Sequence, residues 1–211
     1  MTSEMAHKTS PRPRKEMIAE TRAKLIAAAR HAFATKGFAE ASMDDFTAEA
    51  GLTRGALYHH FGDKKGLLQA VIAEMDAEIS ERLCTISSRS DSAWQGFVDE
   101  SVAYIEMALE PEIQRIMLLD GPAVLGDPSQ WPNQSACIRT MAASLQTLID
   151  EGTIRPVDPE AAARLVNGAT LSAALWIASA EDPQAASKKA VDAFVTLVSG
   201  LLREKGDGAR R

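Results

Sequence analysis

Hydrophobic residues recur at helical spacing along almost the whole chain. Between residues 18 and 36 they follow one another at i, i+3 and i+4, which predicts a helix that ends at Gly37. Ser42 and Thr53 then stand as N-caps before two short helices, MDDFTAEA and RGALYHHF. Asp45, three residues after Ser42, gives a weak form of the capping box. The first third of the chain is therefore predicted to contain one longer helix and two short ones.

The same spacing continues through the other two thirds. Asp63 caps a long helix whose apolar stripe runs from Leu67 to Leu83. Five further helices are predicted between stretches rich in Gly, Pro and Ser, at residues 93–109, 112–119, 133–151, 159–180 and 184–204. Alanine, leucine and glutamate are abundant, while runs of β-branched residues are scarce. The chain is therefore predicted to be all-α, with about nine helices.

Charge is distributed unevenly along these helices. The 211 residues carry a formal net charge of −6, yet residues 1–66 hold 11 Lys+Arg against 8 Asp+Glu, and the remainder is acidic. Residues 1–16, with prolines among basic side chains, are predicted to form a flexible basic arm, and residues 205–211 a charged tail. A basic N-terminal third joined to an acidic remainder indicates that only the N-terminal part meets a polyanion.

Several other classes of protein are disfavoured by the sequence. No apolar run approaches the roughly 18 residues that span a bilayer, and the first residues lack the apolar segment of a secretory signal, so we expect a cytoplasmic protein with no membrane partner. Cys84 and Cys137 have no metal-ligand spacing, so we expect two free thiols, no metal site and no cofactor. With no nucleophile–base pair and no phosphate-binding glycine loop, an enzyme is the weaker hypothesis, and no catalytic residue is assigned.

The segment DDFTAEAGLTRGALYHHF has the layout of a helix-turn-helix, in which the second helix enters the major groove of DNA. On a wheel of 100° per residue, Leu57 and Phe61 share the inward side of that second helix. The opposite side presents small or hydrogen-bonding residues, and the flanks carry groups that reach phosphates: Gly55 and His59 face outwards, with Tyr58 and His60 beside them. This arrangement predicts a DNA-reading face.

Two basic residues extend this face. Arg54 lies nearer the inward side of the wheel, but its position in the first turn and its length allow it to reach a guanine or a phosphate. Lys64 begins the next helix, where its charge and the helix N-terminus both suit a phosphate. The alternatives stay open here: Tyr58 as a core aromatic, and His59 and His60 as surface histidines without a role.

The stretch GFAEASMDDFTAEAGLTRGALYHHFGDKKGLLQAV closely resembles the DNA-binding domain of the TetR family of bacterial transcriptional repressors. The resemblance covers residues 20–70 and rests on the Ala-Gly-Leu-Thr turn, the Leu-Tyr-His-His-Phe helix and the Asp-Lys-Lys-Gly-Leu-Leu that follows. Phe46 and Thr47 depart from the family pattern and are interpreted as packing variants. The resemblance implies a homodimer with a three-helix DNA-binding domain at 17–66 and a larger helical ligand-binding and dimerisation domain at 67–204.

The resemblance also implies a role for each DNA-contacting residue. Carried over position by position, Ser42, Thr53, Tyr58, His60 and Lys64 contact phosphates, while Arg54, Gly55 and His59 face bases. The implied partners are a pseudo-palindromic, double-stranded operator and a small-molecule effector whose binding shifts the helix that starts at Lys64. The implied function is a ligand-responsive repressor. The alternative is a DNA-binding regulator with no small-molecule ligand, either architectural or responsive to a protein.

The last two helices carry stripes of small and apolar residues at i, i+3 and i+4. The stripes comprise Leu165, Gly168, Ala169, Ser172 and Leu175 in the first helix, and Val191, Phe194, Val195 and Val198 in the second. One interpretation is that both stripes belong to the core. Within the resemblance, they pair with the same helices of a second subunit in a four-helix bundle.

The middle of the chain is rich in large, adaptable side chains, which suit a permissive pocket for a hydrophobic molecule. The candidate ligand-binding residues are Trp94, Met107, Met117, Trp131, Met141 and Trp176, each of which is also a candidate for the core. Four acids leave room for a cationic ligand: Glu106, Glu110, Glu112 and Asp120. The segment MLLDGPAVLGDPSQWP is predicted to end a helix at Asp-Gly-Pro and to line the mouth of the pocket.

Overall fold

The structure, a computed structural model, describes residues 14–203; most of the predicted arm and the whole predicted tail lie outside the described residues. Within that range the chain forms nine helices: α1 Arg14–Lys36, α2 Met43–Ala50, α3 Arg54–Phe61, α4 Lys64–Ser87, α5 Ala93–Glu106, α6 (residues 111–125), α7 Gln134–Asp150, α8 Pro159–Ser179 and α9 Pro183–Ser199. The predicted all-α architecture is confirmed. Because α1 begins at Arg14, residues 14–16 of the predicted arm are helical.

The predicted caps are present at the starts of the short helices. Ser42 Oγ accepts a hydrogen bond from the Asp45 N–H at 3.1 Å, and Asp45 Oδ2 accepts one from the Ser42 N–H at 3.2 Å, which completes the capping box. Thr53 and Asp63 accept backbone N–H bonds in the same way at the starts of α3 and α4. Each cap fixes where its helix starts and therefore how α3 projects from the domain.

The core of the N-terminal domain buries only one side of α3. Phe33 of α1 is fully buried, and its ring packs edge-on against Phe46 of α2 with centroids 5.2 Å apart. Phe46 is thus the packing variant that the sequence indicated, since the larger ring fills the space against α1. Leu57 is the buried residue of α3. The opposite side of α3 is left to the solvent, as the helical wheel predicted.

The helix predicted at residues 112–119 is longer than expected. This helix, α6, consists of three consecutive segments: an α-helical turn at Pro111–Ile113, a π-helix at Gln114–Asp120 and a last α-helical turn at Gly121–Leu125. Gly121 donates its N–H to the carbonyl of Ile116, five residues earlier. Pro122 has no N–H, and it stands in the first turn of the new segment, where none is needed. The Asp-Gly-Pro sequence therefore changes the helix register instead of ending the helix.

The C-terminal end also differs from the prediction. α9 ends at Ser199, five residues before the predicted end at 204. After it, Leu202 forms an isolated antiparallel β-bridge with Ile154 in the loop between α7 and α8. The chain leaves the helix because this backbone pairing ties the C-terminal segment to that loop.

The hydropathy of α8 is higher than the sequence analysis suggested. An 18-residue window of this helix has a mean hydropathy of 1.2, so by length and composition it is the one helix in residues 14–203 that could cross a bilayer. In the fold, 39% of that window is buried, and α8 packs against α5, α7 and α9. One side of α8 packs into the core, and a second side exposes further apolar residues. Together these two sides account for the high mean hydropathy of the helix.

Candidate nucleic-acid interface and ligand cavity

The outward side of α3 carries the aromatic residues that the sequence predicted for DNA. Tyr58 is 54% exposed, although tyrosine is usually half-buried. His59 is also exposed, and its ring lies 5.5 Å from that of the half-buried His60. Tyr58 is therefore not a core aromatic, and the three side chains form a hydrogen-bonding surface along α3.

Gly55 lies on the same side of α3, and the fold itself does not require a glycine there. A Cβ built on Gly55 would meet nothing nearer than Thr53 Oγ1 at 3.8 Å. Gly66 is the contrast, since a Cβ there would stand 2.1 Å from the carbonyl oxygen of Phe61, where α4 starts close to the end of α3. A glycine within a helix destabilises it by about 0.5–1 kcal/mol relative to alanine. Packing within the subunit therefore gives no reason for a glycine at 55.

Arg54 is held by a carboxylate within the helix-turn-helix. Its Nε and Nη2 donate to the two carboxylate oxygens of Asp44, in the first turn of α2, and both side chains are exposed. The guanidinium keeps the pKa of Asp44 below its usual range. The pair joins the two helices and also neutralises an acid that would repel a phosphate. For Arg54 to reach a base, this pairing has to open.

Lys64 lies against the loop between α1 and α2. Its ammonium stands 4.4 Å from the centroid of the Phe38 ring and donates to the carbonyl of Ala39 at 3.3 Å. Burial lowers its pKa. The side chain is half-buried, so it supplies a fixed positive charge beside the start of α4 rather than a freely extended one.

Ser42 and Thr53 are both exposed caps. Their oxygens accept backbone N–H bonds, and each hydroxyl proton remains available to donate to a phosphate. All eight residues that the sequence assigned to DNA are therefore exposed or half-buried, and none is lost to the core.

Helix α6 contacts the DNA-binding domain through an ion-pair cluster. Arg30 of α1 donates from Nε and Nη2 to the carboxylate of Glu112 at 2.8 Å each, and from Nη1 to Glu78 of α4 at 2.7 Å. The two acids keep the guanidinium charged and fixed in orientation. Arg30 thus ties α1, α4 and α6 together at one point.

A second contact joins the π-helix of α6 to the end of α1. Asp120 accepts the N–H of Phe38 at 2.7 Å, and Arg115 donates to the carbonyl of Lys36 at 3.3 Å. Gly37, between them, has φ of 80°, and a Cβ there would fall 1.9 Å from Arg115 Nη2. The positive φ favours glycine at 37, and the absence of a side chain lets the Arg115 guanidinium lie against the backbone there.

These contacts account for the acids that the sequence left for a cationic ligand. Glu112 and Asp120 bind the DNA-binding domain, and Glu110 pairs with Arg82 of α4. Glu106 is exposed. The reason is geometric: α6 lies against α1 and α4, so its acids meet basic side chains and backbone N–H groups there.

A cavity of about 440 Å³ lies between α4, α5, α7 and α8. Its apolar lining comes from Ile79, Leu83, Phe97 and Met141, and its polar lining includes Asp76, Glu100, Tyr104, Asn133, Gln134, Asn167 and Thr170. The two cysteines, Cys84 and Cys137, also line it and are free thiols, as expected. The volume and the mixture of apolar walls with a few polar groups are typical of a small-molecule site.

Two family descriptions match the chain, and together they cover both parts of the fold. "Bacterial regulatory proteins, tetR family" matches residues 25–71, which contain the helix-turn-helix. "Tetracyclin repressor-like, C-terminal domain" matches residues 94–201, just over half of the chain. The chain belongs to the TetR family.

Individual TetR-family relatives agree with this assignment. A crystal structure of a TetR-family transcriptional regulator from Pectobacterium atrosepticum is 50% identical, has a TM-score of 0.84 and covers 92% of this chain and 99% of that one. The HTH-type transcriptional regulator TtgR of Pseudomonas putida is 40% identical over 77 residues, so the match spans only 36% of that relative's length. RolR, solved with resorcinol, is 20% identical with a TM-score of 0.65 over 87% of this chain and 90% of its own, and shows the fold alone.

The cavity of this TetR-family regulator is not lined by most of the residues that the sequence proposed. Met141 lines it, but Met107 and Met117 are buried in the core. Trp94 packs on Phe97 with ring centroids 5.8 Å apart, and Trp176 is 49% exposed. Trp131 donates Nε1–H to the carbonyl of Gly126 and packs beside Gly121. The segment 117–132, which comprises the second half of α6 and the loop after it, does not line this cavity.

The polar residues of the cavity carried a signal that the sequence reading missed. Asp76 lies on the apolar stripe of α4, four residues after Ile72 and three before Ile79. Glu100 is placed in the same way on α5, three residues after Phe97. An acid within the apolar stripe of an amphipathic helix indicates a cavity or a buried partner, whereas an acid on the polar side indicates neither.

The predicted dimerisation residues fall into two groups on α8 and α9. Leu165, Gly168, Ala169 and Ser172 are exposed or half-buried, as are Leu175, Val191 and Val195. Phe194 and Val198 are buried within the subunit, where they belong to the core. An apolar groove of about 400 Å³ runs between the two helices, and both Leu165 and Leu197 line it, 75% and 73% exposed respectively. The core interpretation thus holds for Phe194 and Val198, and the dimerisation interpretation stays a prediction for the exposed and half-buried residues.

Proposed function

We propose that this TetR-family transcriptional regulator is a cytoplasmic repressor. It binds a pseudo-palindromic operator as a homodimer, and it leaves the operator when a small, largely hydrophobic effector enters the cavity between α4, α5, α7 and α8. The observation that carries the proposal is that α4 belongs to both sites. This helix begins at Lys64, beside the recognition helix, and its residue Asp76 lines the cavity.

The geometry of α4 supports a mechanical link between cavity and DNA. Lys64 and Asp76 are separated by twelve residues, or about 18 Å along a helix axis. A ligand that displaces the middle of α4 therefore moves its N-terminal end as well, because a packed helix shifts as a unit. Arg30 holds α1 to α6 through Glu112 and to α4 through Glu78, so the three helices respond together. The result is a change in the position of α3.

Dimerisation supplies the other half of the mechanism. A single eight-residue recognition helix contacts too few base pairs to specify a site in a genome. Two such helices read two half-sites at a spacing fixed by the dimer, about 34–36 Å for adjacent major grooves. The exposed apolar residues along α8 and α9 supply the surface that joins the subunits. A shift of α4 in each subunit then changes that spacing and releases the DNA.

Binding to the DNA upstream of the protein's own coding region tests this proposal. Fluorescence anisotropy at two salt concentrations is expected to show saturable binding to a pseudo-palindrome, with two subunits per site and a steep loss of affinity as salt rises. Weak binding that is equal for every sequence would contradict an operator at this position. A panel of hydrophobic compounds that shifts neither the melting temperature nor the DNA affinity would favour a regulator without a ligand.

Substitutions on α3 and α4 are expected to separate phosphate contacts from base contacts. Tyr58→Phe and Lys64→Ala should weaken all DNA sequences about equally, and Lys64→Ala should reduce the salt slope by roughly one unit. Arg54→Ala and His59→Ala should instead lose discrimination at particular base pairs, on the order of 1–3 kcal/mol for a direct contact. Uniform losses from both pairs would show that this assignment of contacts is wrong.

Gly55→Ala tests whether DNA comes close to the backbone of α3 at this position. The free protein should become more stable by about 0.5–1 kcal/mol, since alanine favours the helix and meets no protein atom within 3.4 Å. Operator affinity should nevertheless fall, because the methyl group takes the space that the DNA needs. Thermal unfolding and anisotropy on one preparation measure both effects, and unchanged affinity would show that DNA does not approach Gly55.

A further inference from the structure

The ligand cavity contains two carboxyl groups that lack an ionic partner. Asp76 of α4 and Glu100 of α5 both line it, and neither forms a salt bridge within residues 14–203. Asp76 Oδ2 accepts a hydrogen bond from Asn133 Nδ2 at 2.6 Å. The group beside Glu100 is the hydroxyl of Ser87, which donates to the carbonyl of Cys84. Both neighbours are uncharged. A partly buried carboxylate with only neutral partners remains short of compensating charge.

No basic group faces these acids from the surrounding helices. The titratable residues that line the cavity are Asp76 and Cys84 on α4, Glu100 and Tyr104 on α5, and Cys137 on α7; α8 contributes the uncharged Asn167 and Thr170. Burial raises the pKa of Asp76 to about 7, and it raises the pKa of Glu100 as well, in part offset by the nearby Ser87 hydroxyl. Burial also raises the pKa of Tyr104 and of Cys137, with the charge of Asp76 adding to both. Among residues 14–203, every charge that the lining of the cavity can develop is therefore negative.

Tyr104 adds a polar group to the lining of the cavity. Its side chain is half-buried, and its hydroxyl makes no hydrogen bond within residues 14–203. Phe97 and Met141 line the same space with aromatic and flexible apolar surface. The cavity thus offers a face for an apolar body, a free hydroxyl and two anionic groups.

We propose that the effector is an organic cation, with an apolar or aromatic body and one protonated amine whose charge is met by the carboxylates of Asp76 and Glu100. This inference rests on the proposed function, because it specifies the chemical class of the effector to which the regulator responds. The amine supplies the donors that the two acids lack, and the body lies against Phe97 and Met141. The carboxylates give the cavity a negative charge, which attracts a ligand of this class.

The proposal carries a pH dependence with a definite sign. The cation binds to ionised Asp76, and with a pKa of about 7 this carboxyl is largely protonated at pH 6 and largely ionised at pH 8. Amines of pKa above 9 stay protonated over that range. Affinity should therefore rise about tenfold from pH 6 to pH 8. A ligand that accepts a hydrogen bond from protonated Asp76 would show the opposite trend.

A charge series on fixed scaffolds tests the inference. Phenylethyl, naphthylmethyl and indolylethyl groups are each offered as the amine, the alcohol and the carboxylate, and binding to the full-length protein is measured by calorimetry and thermal shift. Amines are expected to bind about 10- to 100-fold more tightly than the matched alcohols, the range for a charge-assisted hydrogen bond. Asp76→Asn combined with Glu100→Gln should remove that preference, whereas Glu81→Gln, on an exposed part of α4, should keep it.

The outcomes separate this inference from the proposed function. Equal or tighter binding of the alcohols or carboxylates, or no binding by any of the nine compounds, overturns the cation assignment. Amine binding that depends on Asp76 and Glu100 supports it. If those amines bind yet leave operator affinity unchanged in the anisotropy assay, the cation site stands and the proposed release mechanism fails.

Discussion

Leu165→Glu is expected to leave the protein monomeric and to abolish specific operator binding. Leu165 lines the apolar groove between α8 and α9 and is 75% exposed in the single subunit, so the substitution does not disturb the core. In a symmetric dimer the change occurs twice. Each copy loses the burial of a leucine, about 1.5–3 kcal/mol, and gains the desolvation of a carboxylate. The dimer dissociation constant should rise by about 10³-fold or more.

Sedimentation at micromolar concentration and anisotropy with the operator measure the two effects together. Ala143→Glu is the matched control, because residue 143 is exposed on α7 and lines neither the groove nor the cavity. That variant should stay dimeric and bind DNA. Circular dichroism should show unchanged helix content for both. A dimeric Leu165→Glu protein with normal operator affinity would place the interface away from α8.

Much of the helix pattern could be predicted because its signals are local. N-caps at Ser42, Thr53 and Asp63 each satisfy backbone N–H groups within three residues, so the sequence alone indicates where α2, α3 and α4 begin. The exposed side of α3 was also predictable, since one wheel placed Leu57 inward and the potential DNA contacts outward. These inferences needed only the spacing of residues within one helix.

The ligand cavity was harder to predict because its walls come from four helices. Asp76, Glu100 and Asn167 are far apart in sequence, and nothing local shows that they share a space. Abundant methionine and tryptophan did not locate the cavity, since the same side chains fill the core, as Met107 and Met117 do. The π-helix in α6 escaped prediction for a related reason. A Gly-Pro pair usually marks a turn. The change to backbone hydrogen bonds between residues five apart leaves no trace in the 3.6-residue spacing of apolar residues from which helices are predicted.

The pairings of charged residues also depended on tertiary structure. Arg30 and Glu112 are separated by 82 residues, and their bidentate contact exists only because α6 crosses the end of α1. This contact joins the two parts of the regulator whose relative movement the proposed mechanism needs. Glu112 is thus engaged with α1, and the cation site that we propose is built from acids on α4 and α5.

Asp76→Asn is expected to stabilise the free protein at high pH. Burial raises the pKa of Asp76 from its usual 3.8 to about 7, so the folded state resists its ionisation. Below about pH 3.8 the carboxyl is protonated in both the folded and the unfolded state, so it does not affect the free energy of unfolding. Between about pH 3.8 and pH 7 the unfolded state ionises more readily, so the folded protein loses stability as the pH rises. Above about pH 7 this loss is complete. The full shift corresponds to about 4 kcal/mol. Because Asp76 is only half-buried and is bonded to Asn133, we expect about 1–2 kcal/mol, or a rise in Tm of roughly 2–8 °C.

Thermal unfolding at pH 8.5 and pH 5.5 tests both the size and the sign of this effect. The gain from Asp76→Asn should be largest at pH 8.5 and smaller at pH 5.5, because the raised pKa of Asp76 lets the folded wild-type protein take up a proton there. Glu81→Gln removes an exposed carboxylate from the same helix and should change Tm little at either pH. A variant less stable than wild type at pH 8.5 would show that the Asn133 bond outweighs the burial of the charge. A stabilised variant would establish that the regulator keeps an unfavourable carboxylate in its cavity, which is the kind of stability cost that functional sites commonly carry.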